Sequence, residues 1–303
     1  MMLKTMLSVR IWLPVLLFVV GFSAQSEVIY TQKSLYRDIA VVEKDGLRCL
    51  VFALVKGDSV QTCQYQDEHD HRLVYSYSQM VMGGLLMNPH PQRILLIGLG
   101  GASIPNVLTQ LYPDAALDVV ELDPGVVKVA RDYFHFKETP HTSVSVADGR
   151  VFVKRAILRK KKYDFIILDA FTGDYIPEHL MTREYLQEVQ RLMTKDGVLV
   201  ANTWSSSQLY AHESETYRQV FGPFFNFKVK QEQNYGNRII IVGNGKQPLP
   251  SRQVMRERAK PLAKLLAPYD VLIERFPSLM STKADWDRSA RPLTDQYSPA
   301  NLL

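Results

Sequence analysis

The chain has 303 residues, of which 46% are hydrophobic and 22% are charged. This composition excludes an intrinsically disordered or fibrous protein, because it supplies enough apolar side chains for a folded core. Two cysteines exclude a disulfide-dense scaffold and a four-cysteine zinc site. The net charge of +5 is mild for this length, so it does not predict a nucleic acid partner.

The N-terminal segment, residues 1–26, has the pattern of a signal peptide or membrane anchor. Lys4 and Arg10 precede an apolar stretch at 11–22, which is shorter than the roughly 20 residues that span a bilayer. A cleavage site with small residues at its critical positions follows at 24–26. We therefore expect export, to the periplasm if the source is bacterial, or anchoring to a membrane by this segment. A buried helix is the remaining interpretation.

Residues 27–72 are predicted to form a small β-hairpin domain. Apolar runs flank Asp45-Gly46, a dipeptide typical of a tight hairpin turn, and a third strand is predicted around 60–64. Cys49 and Cys63 fall on neighbouring predicted strands. A disulfide between them would form in an oxidising compartment, and two buried free thiols fit the pattern equally well.

From residue 92 onward, short apolar runs alternate with helical segments. The predicted strands are 93–98, 117–121, 144–147, 163–169 and 197–202, followed by an antiparallel pair at 225–231 and 238–242. The predicted helices are 73–87, 104–111, 124–133, 150–158 and 182–193. This alternation predicts a doubly wound α/β sheet within residues 73–245. Residues 246–303 are predicted to be a helical tail, broken at Pro261.

A glycine-rich turn, Gly98-Leu99-Gly100-Gly101, directly follows the first strand of this α/β segment. Glycines at this point let a ligand approach the backbone, although a purely structural turn is the alternative. Glu121 ends the next strand, where a carboxylate can accept both ribose hydroxyls. Ser103 replaces the last glycine of the dinucleotide pattern, which favours a mononucleoside ligand such as S-adenosylmethionine (AdoMet) over NAD.

Two further carboxylates follow strands of the same segment. Asp148-Gly149 ends the third strand, where the carboxylate can accept from an adenine amino group and Gly149 keeps the backbone close. Asp169 ends the fourth strand, at the edge where α/β sheets carry functional groups. Each alone is also explained as a turn or loop cap. Together with Glu121, they predict a nucleoside site at this edge.

These features together resemble the spermidine synthase (polyamine aminopropyltransferase) family. The matching segments are 77–80, 95–101, 120–124, 148–149, 163–169 and 197–200. AdoMet-dependent methyltransferases share the glycine loop and the acid, but the hairpins joined to the Tyr77 segment favour the aminopropyltransferases. The resemblance implies a Rossmann-like, methyltransferase-type catalytic domain after a small β-hairpin domain. It also implies decarboxylated AdoMet as co-substrate, no tightly bound cofactor, and a homodimer or tetramer.

The resemblance further implies roles for individual residues. Glu121 would hold the ribose of the donor and Asp148 its adenine. Asp169 would be the general base that deprotonates the attacking amine, because an amine is nucleophilic only when neutral. Tyr77 and Gln79 would shape the substrate site.

Three positions depart from the family pattern. Arg37 replaces a Gln, whereas Gly101 and Thr172 each replace an Asp. In the family these positions lie toward the amines, so cationic substrates would bind poorly without a replacement acid such as Asp174. Arg37 is expected to face a carboxylate, either that of intact AdoMet or that of an amino-acid-like acceptor.

The expected function is aminopropyl transfer to a small amine, with an acceptor that differs from the usual one or impaired chemistry. The alternatives are an AdoMet-dependent methyltransferase and a non-catalytic nucleoside- or polyamine-binding protein. His69 and His71 are too few ligands to predict a metal site. Asp295 and Tyr297 are expected to pin the C-terminus rather than to reach the site.

Overall fold

The structure is a computed structural model, and it describes residues 26–54, 57–171, 175–228, 236–245 and 248–297. The strands are β1 (Glu27–Lys33), β2 (Asp38–Lys44), β3 (Leu47–Leu54), β4 (Gly57–Tyr65), β5 (Arg93–Ile97), β6 (Ala116–Glu121), β7 (Thr142–Val146), β8 (Tyr163–Leu168), β9 (Met193–Trp204), β10 (Phe225–Lys228), β11 (Asn237–Gly243) and β12 (Met280–Ser281). The α-helices are α1 (Ser76–Val81), α2 (Ser103–Leu111), α3 (Pro124–Tyr133), α4 (Gly149–Leu158), α5 (Arg183–Leu192), α6 (Tyr210–Phe221), α7 (Arg252–Leu266) and α8 (Phe276–Leu279). Short 3-10 helices lie at Met82–Leu86, Glu178–Leu180, Ala267–Tyr269 and Ile273–Arg275.

The N-terminal strands form an antiparallel sheet in the order β1-β2-β3-β4. Asp45 and Gly46 both adopt positive φ at the β2–β3 turn, as the hairpin prediction requires. Strand β1 was missed by the sequence analysis, because it is an edge strand with mostly exposed side chains and so has little apolar pattern.

Cys49 and Cys63 lie directly opposite each other on β3 and β4. Their Cα atoms are 4.1 Å apart and their sulfur atoms form a disulfide. Of the two interpretations left open by the sequence, the structure therefore contains the disulfide rather than the free thiols.

Replacing both cysteines by serine is expected to lower the free energy of unfolding by about 3 kcal/mol. The cross-link joins residues 14 apart, and it removes loop entropy from the unfolded chain. Urea denaturation of the variant and the wild type measures the difference. Wild-type protein unfolded with a reductant is the control and should match the variant. An unchanged midpoint in both would contradict the prediction.

The second sheet has the strand order β12-β10-β11-β9-β8-β5-β6-β7. Its members from β9 to β7 run parallel, and the others pair antiparallel. Ile94 and Leu96 on β5 join one apolar cluster, whereas Leu95 and Ile97 join the cluster on the opposite face. Burial on both faces explains the uninterrupted apolar run of β5 and confirms the predicted doubly wound sheet.

The segment predicted as one helix over 73–87 is two shorter elements. Helix α1 ends at Val81 and a 3-10 helix follows. Gly83 and Gly84 lie in the 3-10 helix against the sheet, and a Cβ at Gly84 would come within 2.5 Å of Val200 Cγ2. Two glycines weaken an α-helix, which explains why α1 ends before them. Here they allow the backbone of the 3-10 helix to approach the sheet closely.

The predicted helix break at Pro261 is wrong, because α7 continues through this residue. Its buried side chains, Met255, Ala259, Leu262 and Leu266, pack into the core on both sides of the proline. Tertiary packing therefore offsets the hydrogen bond that a proline cannot donate.

The C-terminal tail is held by Asp295. Its carboxylate accepts hydrogen bonds from both terminal nitrogens of Arg150 and from Thr182 Oγ1, each at 2.7 Å. Tyr297 lies beneath the guanidinium of Arg291, whose central carbon is 3.8 Å from the ring centroid. The Asp295 contacts hold the described end of the tail against α4 and the start of α5, as expected for this residue.

The predicted leader lies outside the described residues. Within the part of the chain that the structure describes, no helix combines the length and apolarity needed to cross a bilayer. The boundaries 27–72, 73–245 and 246–303 stay predictions.

Candidate active site

A cavity of about 390 Å³ lies at the carboxyl edge of the parallel strands. The strand order brings Asp148, Glu121, Gly98, Asp169 and Asn202 side by side along this edge. The first four follow or end β7, β6, β5 and β8, and Asn202 lies two residues before the end of β9. Such an edge is the usual ligand crevice of an α/β sheet. The volume is within the range of small-molecule sites.

The glycine turn gives this cavity its backbone wall. Gly98 has a φ of 103°, and a Cβ on it would lie 2.2 Å from the carbonyl oxygen of Asp169. Gly100 also has positive φ and lines the cavity. The close approach to Asp169 after β8 requires Gly98, whereas a Cβ on Gly100 would lie 2.9 Å from Thr62 Oγ1 on β4. Without side chains, both positions leave the backbone open to a ligand.

Gly101 does not line the cavity, although it was predicted to contact the nucleoside co-substrate. Its N–H donates to Thr62 Oγ1 at 3.1 Å, and a Cβ on it would lie 2.9 Å from Thr62 Cβ. Thr62, on β4, lines the cavity instead. The packing of the hairpin sheet on the glycine turn thus leaves no room for a side chain at position 101 without a shift of Thr62.

Glu121 is fixed at the end of β6 by two backbone donors. The Leu99 N–H donates to Oε2 and the Asp123 N–H donates to Oε1, both at 3.0 Å. Burial raises the pKa of Glu121, and these two donors oppose the rise. The carboxylate lines the cavity with lone pairs left to accept from a pair of hydroxyls.

Asp148 caps helix α4 and lines the cavity beside Gly149. Its carboxylate accepts from the Val151 N–H at 2.9 Å and lies 2.8 Å from Nε2 of His179. Burial raises the pKa of Asp148, but these two contacts outweigh burial and hold the pKa below its ordinary value. The group is therefore an ionised acceptor. His179 was missed because it lies on a separate short helix.

Asp169 follows β8 in the centre of the cavity edge. Burial raises its pKa to about 7, a hydrogen bond from Asn202 lowers it, and the charge of Glu121 raises it. A carboxylate whose pKa lies near neutrality is suited to accept a proton from a substrate. Tyr77 lines the same cavity, and burial followed by the charge of Asp169 raises the pKa of its phenol.

Arg37 lines the cavity close to Glu121. Burial lowers its pKa, and the nearby carboxylates of Glu121 and Asp123 oppose this. The guanidinium carbon lies 4.2 Å from the ring centroid of Phe52. Its Nε and Nη1 atoms are buried and have no hydrogen-bond partner among the described residues. Arg37 therefore offers two donors to a ligand.

One predicted substrate contact, Gln79, does not line the cavity, because residues two apart on a helix face different directions. Gln79 donates to the Leu73 carbonyl at 2.8 Å. Asp174 and Thr172 lie outside the described residues, so the role of Asp174 stays a prediction.

The cavity beyond Asp169 is lined by side chains that the sequence analysis did not single out: Asn202, Trp204, Asn237 and Phe171. Asn202 ended a predicted strand, so the rule applied to the acids could have found it. Asn237 begins an antiparallel strand and offered no such signal. In the described part of the chain, no cluster of His, Cys, Asp and Glu could hold a metal ion.

The chain is similar in sequence to known proteins over most of its length. The model of the spermine/spermidine synthase domain matches residues 74–242. The chain is 54% identical over 279 residues to the polyamine aminopropyltransferase of Vibrio vulnificus (strain CMCP6), and the match covers 92% of each protein. The chain belongs to the spermine/spermidine synthase family. It is therefore a transferase, and the predicted resemblance is confirmed.

Solved structures support the fold of this family member. A probable spermidine synthase from Corynebacterium glutamicum ATCC 13032 matches with a TM-score of 0.67 and 19% identity, over 90% of this chain and 98% of that chain. A spermidine synthase in complex with the transition-state analogue AdoDATO matches with a TM-score of 0.58 and 20% identity, over 79% of this chain and 88% of that chain. The predicted hairpin sheet followed by a Rossmann-like sheet is thus confirmed.

Proposed function

We propose that this protein transfers an aminopropyl group from decarboxylated AdoMet to a small amine, as a step of polyamine biosynthesis. The observation that carries the proposal is the order of Asp148, Glu121 and Asp169 along one cavity edge. The adenine, the ribose and the reacting carbon follow one another in the same order along the donor molecule.

The nucleoside end of the cavity binds the donor through fixed acceptors. Glu121, held by two backbone N–H groups, accepts from the ribose hydroxyls. Asp148 accepts from the adenine amino group, and the glycine turn keeps the backbone close to the ligand. The sulfonium and its propylamine chain then extend along the edge toward Asp169.

Transfer is a single displacement at the carbon next to the sulfonium. The amine nitrogen of the acceptor forms the new C–N bond while the C–S bond breaks. The electron pair of the broken C–S bond remains on sulfur. Methylthioadenosine is the leaving group, and Asp169 takes the proton of the attacking amine. Because the sulfonium is already a good leaving group, positioning and one base supply the catalysis.

Incubation with decarboxylated AdoMet and a panel of amines tests the proposal by mass spectrometry. Methylthioadenosine together with an amine heavier by one aminopropyl group is the expected result. A parallel incubation with intact AdoMet detects the alternative methyl transfer as S-adenosylhomocysteine. Binding of either nucleoside without any product would support the non-catalytic alternative and overturn the proposal.

The place of Arg37 beside Glu121 supports a contact with the ribose oxygens of the donor. Arg37→Gln is expected to weaken AdoMet, decarboxylated AdoMet and methylthioadenosine alike, by about tenfold, since all three share the ribose. Isothermal titration of wild type and variant measures the three affinities. A loss confined to intact AdoMet would contradict this contact and support the earlier expectation that Arg37 faces a carboxylate.

We also propose that the first 26 residues export the chain or anchor it to a membrane. The Cys49–Cys63 disulfide supports this, because disulfides persist in oxidising compartments. The family resemblance supports assembly into a homodimer or tetramer. Fractionation of cells that produce the full chain tests the first proposal, and light scattering of the purified protein tests the second.

A further inference from the structure

We propose that Asn202 and Asn237 are positioning residues that hold the Asp169 carboxylate through a relay of two amides. The inference deepens the proposed function and rests on the assignment of Asp169 as the base. The two asparagines are 35 residues apart in the chain, and they meet only because β9 and β11 pair.

The relay has a defined direction. Asn202 Nδ2 donates to Asp169 Oδ1 at 2.8 Å, and Asn237 Nδ2 donates to Asn202 Oδ1 at 2.9 Å. Because Asn237 occupies the amide oxygen of Asn202, turning that amide over would break both hydrogen bonds. The NH₂ group of Asn202 therefore stays directed at Asp169.

The strand register explains this contact. Asn202 is opposite Ile239 in the antiparallel pair, so Asn237 is its diagonal neighbour on the same face of the sheet. Asn202 is buried, with 4% of its surface exposed. A buried amide has few water molecules to exchange with, which makes its two protein partners decisive for its orientation.

The relay assigns different tasks to the two oxygens of Asp169. Oδ1 is occupied by Asn202, which leaves Oδ2 to take the proton of the amine. The ionisable groups that face Asp169 from the other described elements are Glu121 and Tyr77, and Arg37 lies beyond Glu121. Glu121 disfavours the charged carboxylate, so Asn202 is the neighbour that favours it.

The test compares pH profiles of kcat/KM for wild type, Asn202→Leu, Asn237→Ala and the double variant. Asn202→Leu is expected to move the acidic limb upward by about one pH unit, a tenfold change in proton affinity. Asn237→Ala should move it less, because Asn202 then keeps one partner but loses its fixed orientation. The double variant should match Asn202→Leu, since Asn237 acts only through Asn202.

Asn226→Ala is the matched control. Asn226 is equally buried on β10 of the same sheet, but it donates to Tyr210 and Asp285, away from Asp169. This variant should leave the acidic limb in place whatever it does to stability. An unshifted limb in Asn202→Leu, or a change in KM alone, would overturn the relay and indicate that Asn202 contacts the substrate instead.

Carbon-13 NMR titration of the Asp169 carboxyl gives a readout that needs no turnover. Its resonance is assigned by its absence in Asp169→Asn. Its titration midpoint should rise in Asn202→Leu and should not change in Asn226→Ala. A shifted midpoint in a protein that forms no methylthioadenosine would uphold the relay and refute the proposed function, so the two failures are distinguishable.

Discussion

Asp169→Asn is expected to lower kcat by about 10³-fold, the typical contribution of a general base. Asparagine keeps the shape of the side chain and its contact with Asn202, but it cannot accept the proton of an attacking amine. Single-turnover formation of methylthioadenosine measures the loss. The affinity for methylthioadenosine is the control and should change little, because Glu121 and Asp148 remain. Transfer at the wild-type rate would refute the assigned base.

The same carboxylate is expected to set the pH dependence of kcat/KM in the wild type. The pKa of Asp169 is raised to about 7, so kcat/KM should fall tenfold per pH unit below this value. This fall of kcat/KM at acidic pH should be absent in Asp169→Asn. A wild-type acidic limb at the ordinary carboxyl pKa would show that a different group is titrating.

Asp169 also costs stability when it is ionised. Its pKa is higher in the folded than in the unfolded chain, so the folded state loses stability as pH rises from the ordinary pKa to about 7. Asp169→Asn removes this loss and should unfold at higher urea concentration at mildly alkaline pH. The expected gain in the free energy of unfolding is about 2 kcal/mol, because water in the cavity screens part of the effect. At acidic pH the gain should vanish, and a pH-independent gain would contradict the prediction.

Arg238→Leu is expected to destabilise the fold by about 3–5 kcal/mol. Arg238 is fully buried, and its Nη2 lies 2.5 Å from Oε2 of Glu213 on α6. Its remaining nitrogens donate to Ser214 and Thr203. Loss of the guanidinium leaves Glu213 as a buried charge without its partner. Urea denaturation measures the change.

Two further variants separate the effect of burying the Arg238–Glu213 pair from the effect of leaving one of its charges unpaired. Arg131→Leu removes an exposed pair of the same N–O distance, with Glu138, and should cost less than about 1 kcal/mol. The combined change Arg238→Met and Glu213→Leu should recover most of the lost stability, because no unpaired charge remains. Burial already raises the pKa of Glu213, so the Arg238→Leu deficit should shrink at low pH. An equal cost for Arg131→Leu would contradict this account.

Much of the cavity edge was predictable from the sequence. Glu121, Asp148 and Asp169 each follow a recognisable buried strand, and parallel strands of one sheet end at the same edge. Gly98 was predictable for the same reason, since a turn that passes so close to Asp169 excludes a side chain. The local sequence pattern was sufficient here, because residues that end parallel strands of one sheet lie at the same edge.

The tertiary structure alone decided the contacts that depend on register between distant segments. It placed Thr62 against Gly101 and brought Asn237 to Asn202. It also carried α7 through Pro261. In each case the free energy comes from packing between elements far apart in the chain, which leaves no periodicity or spacing in the local sequence.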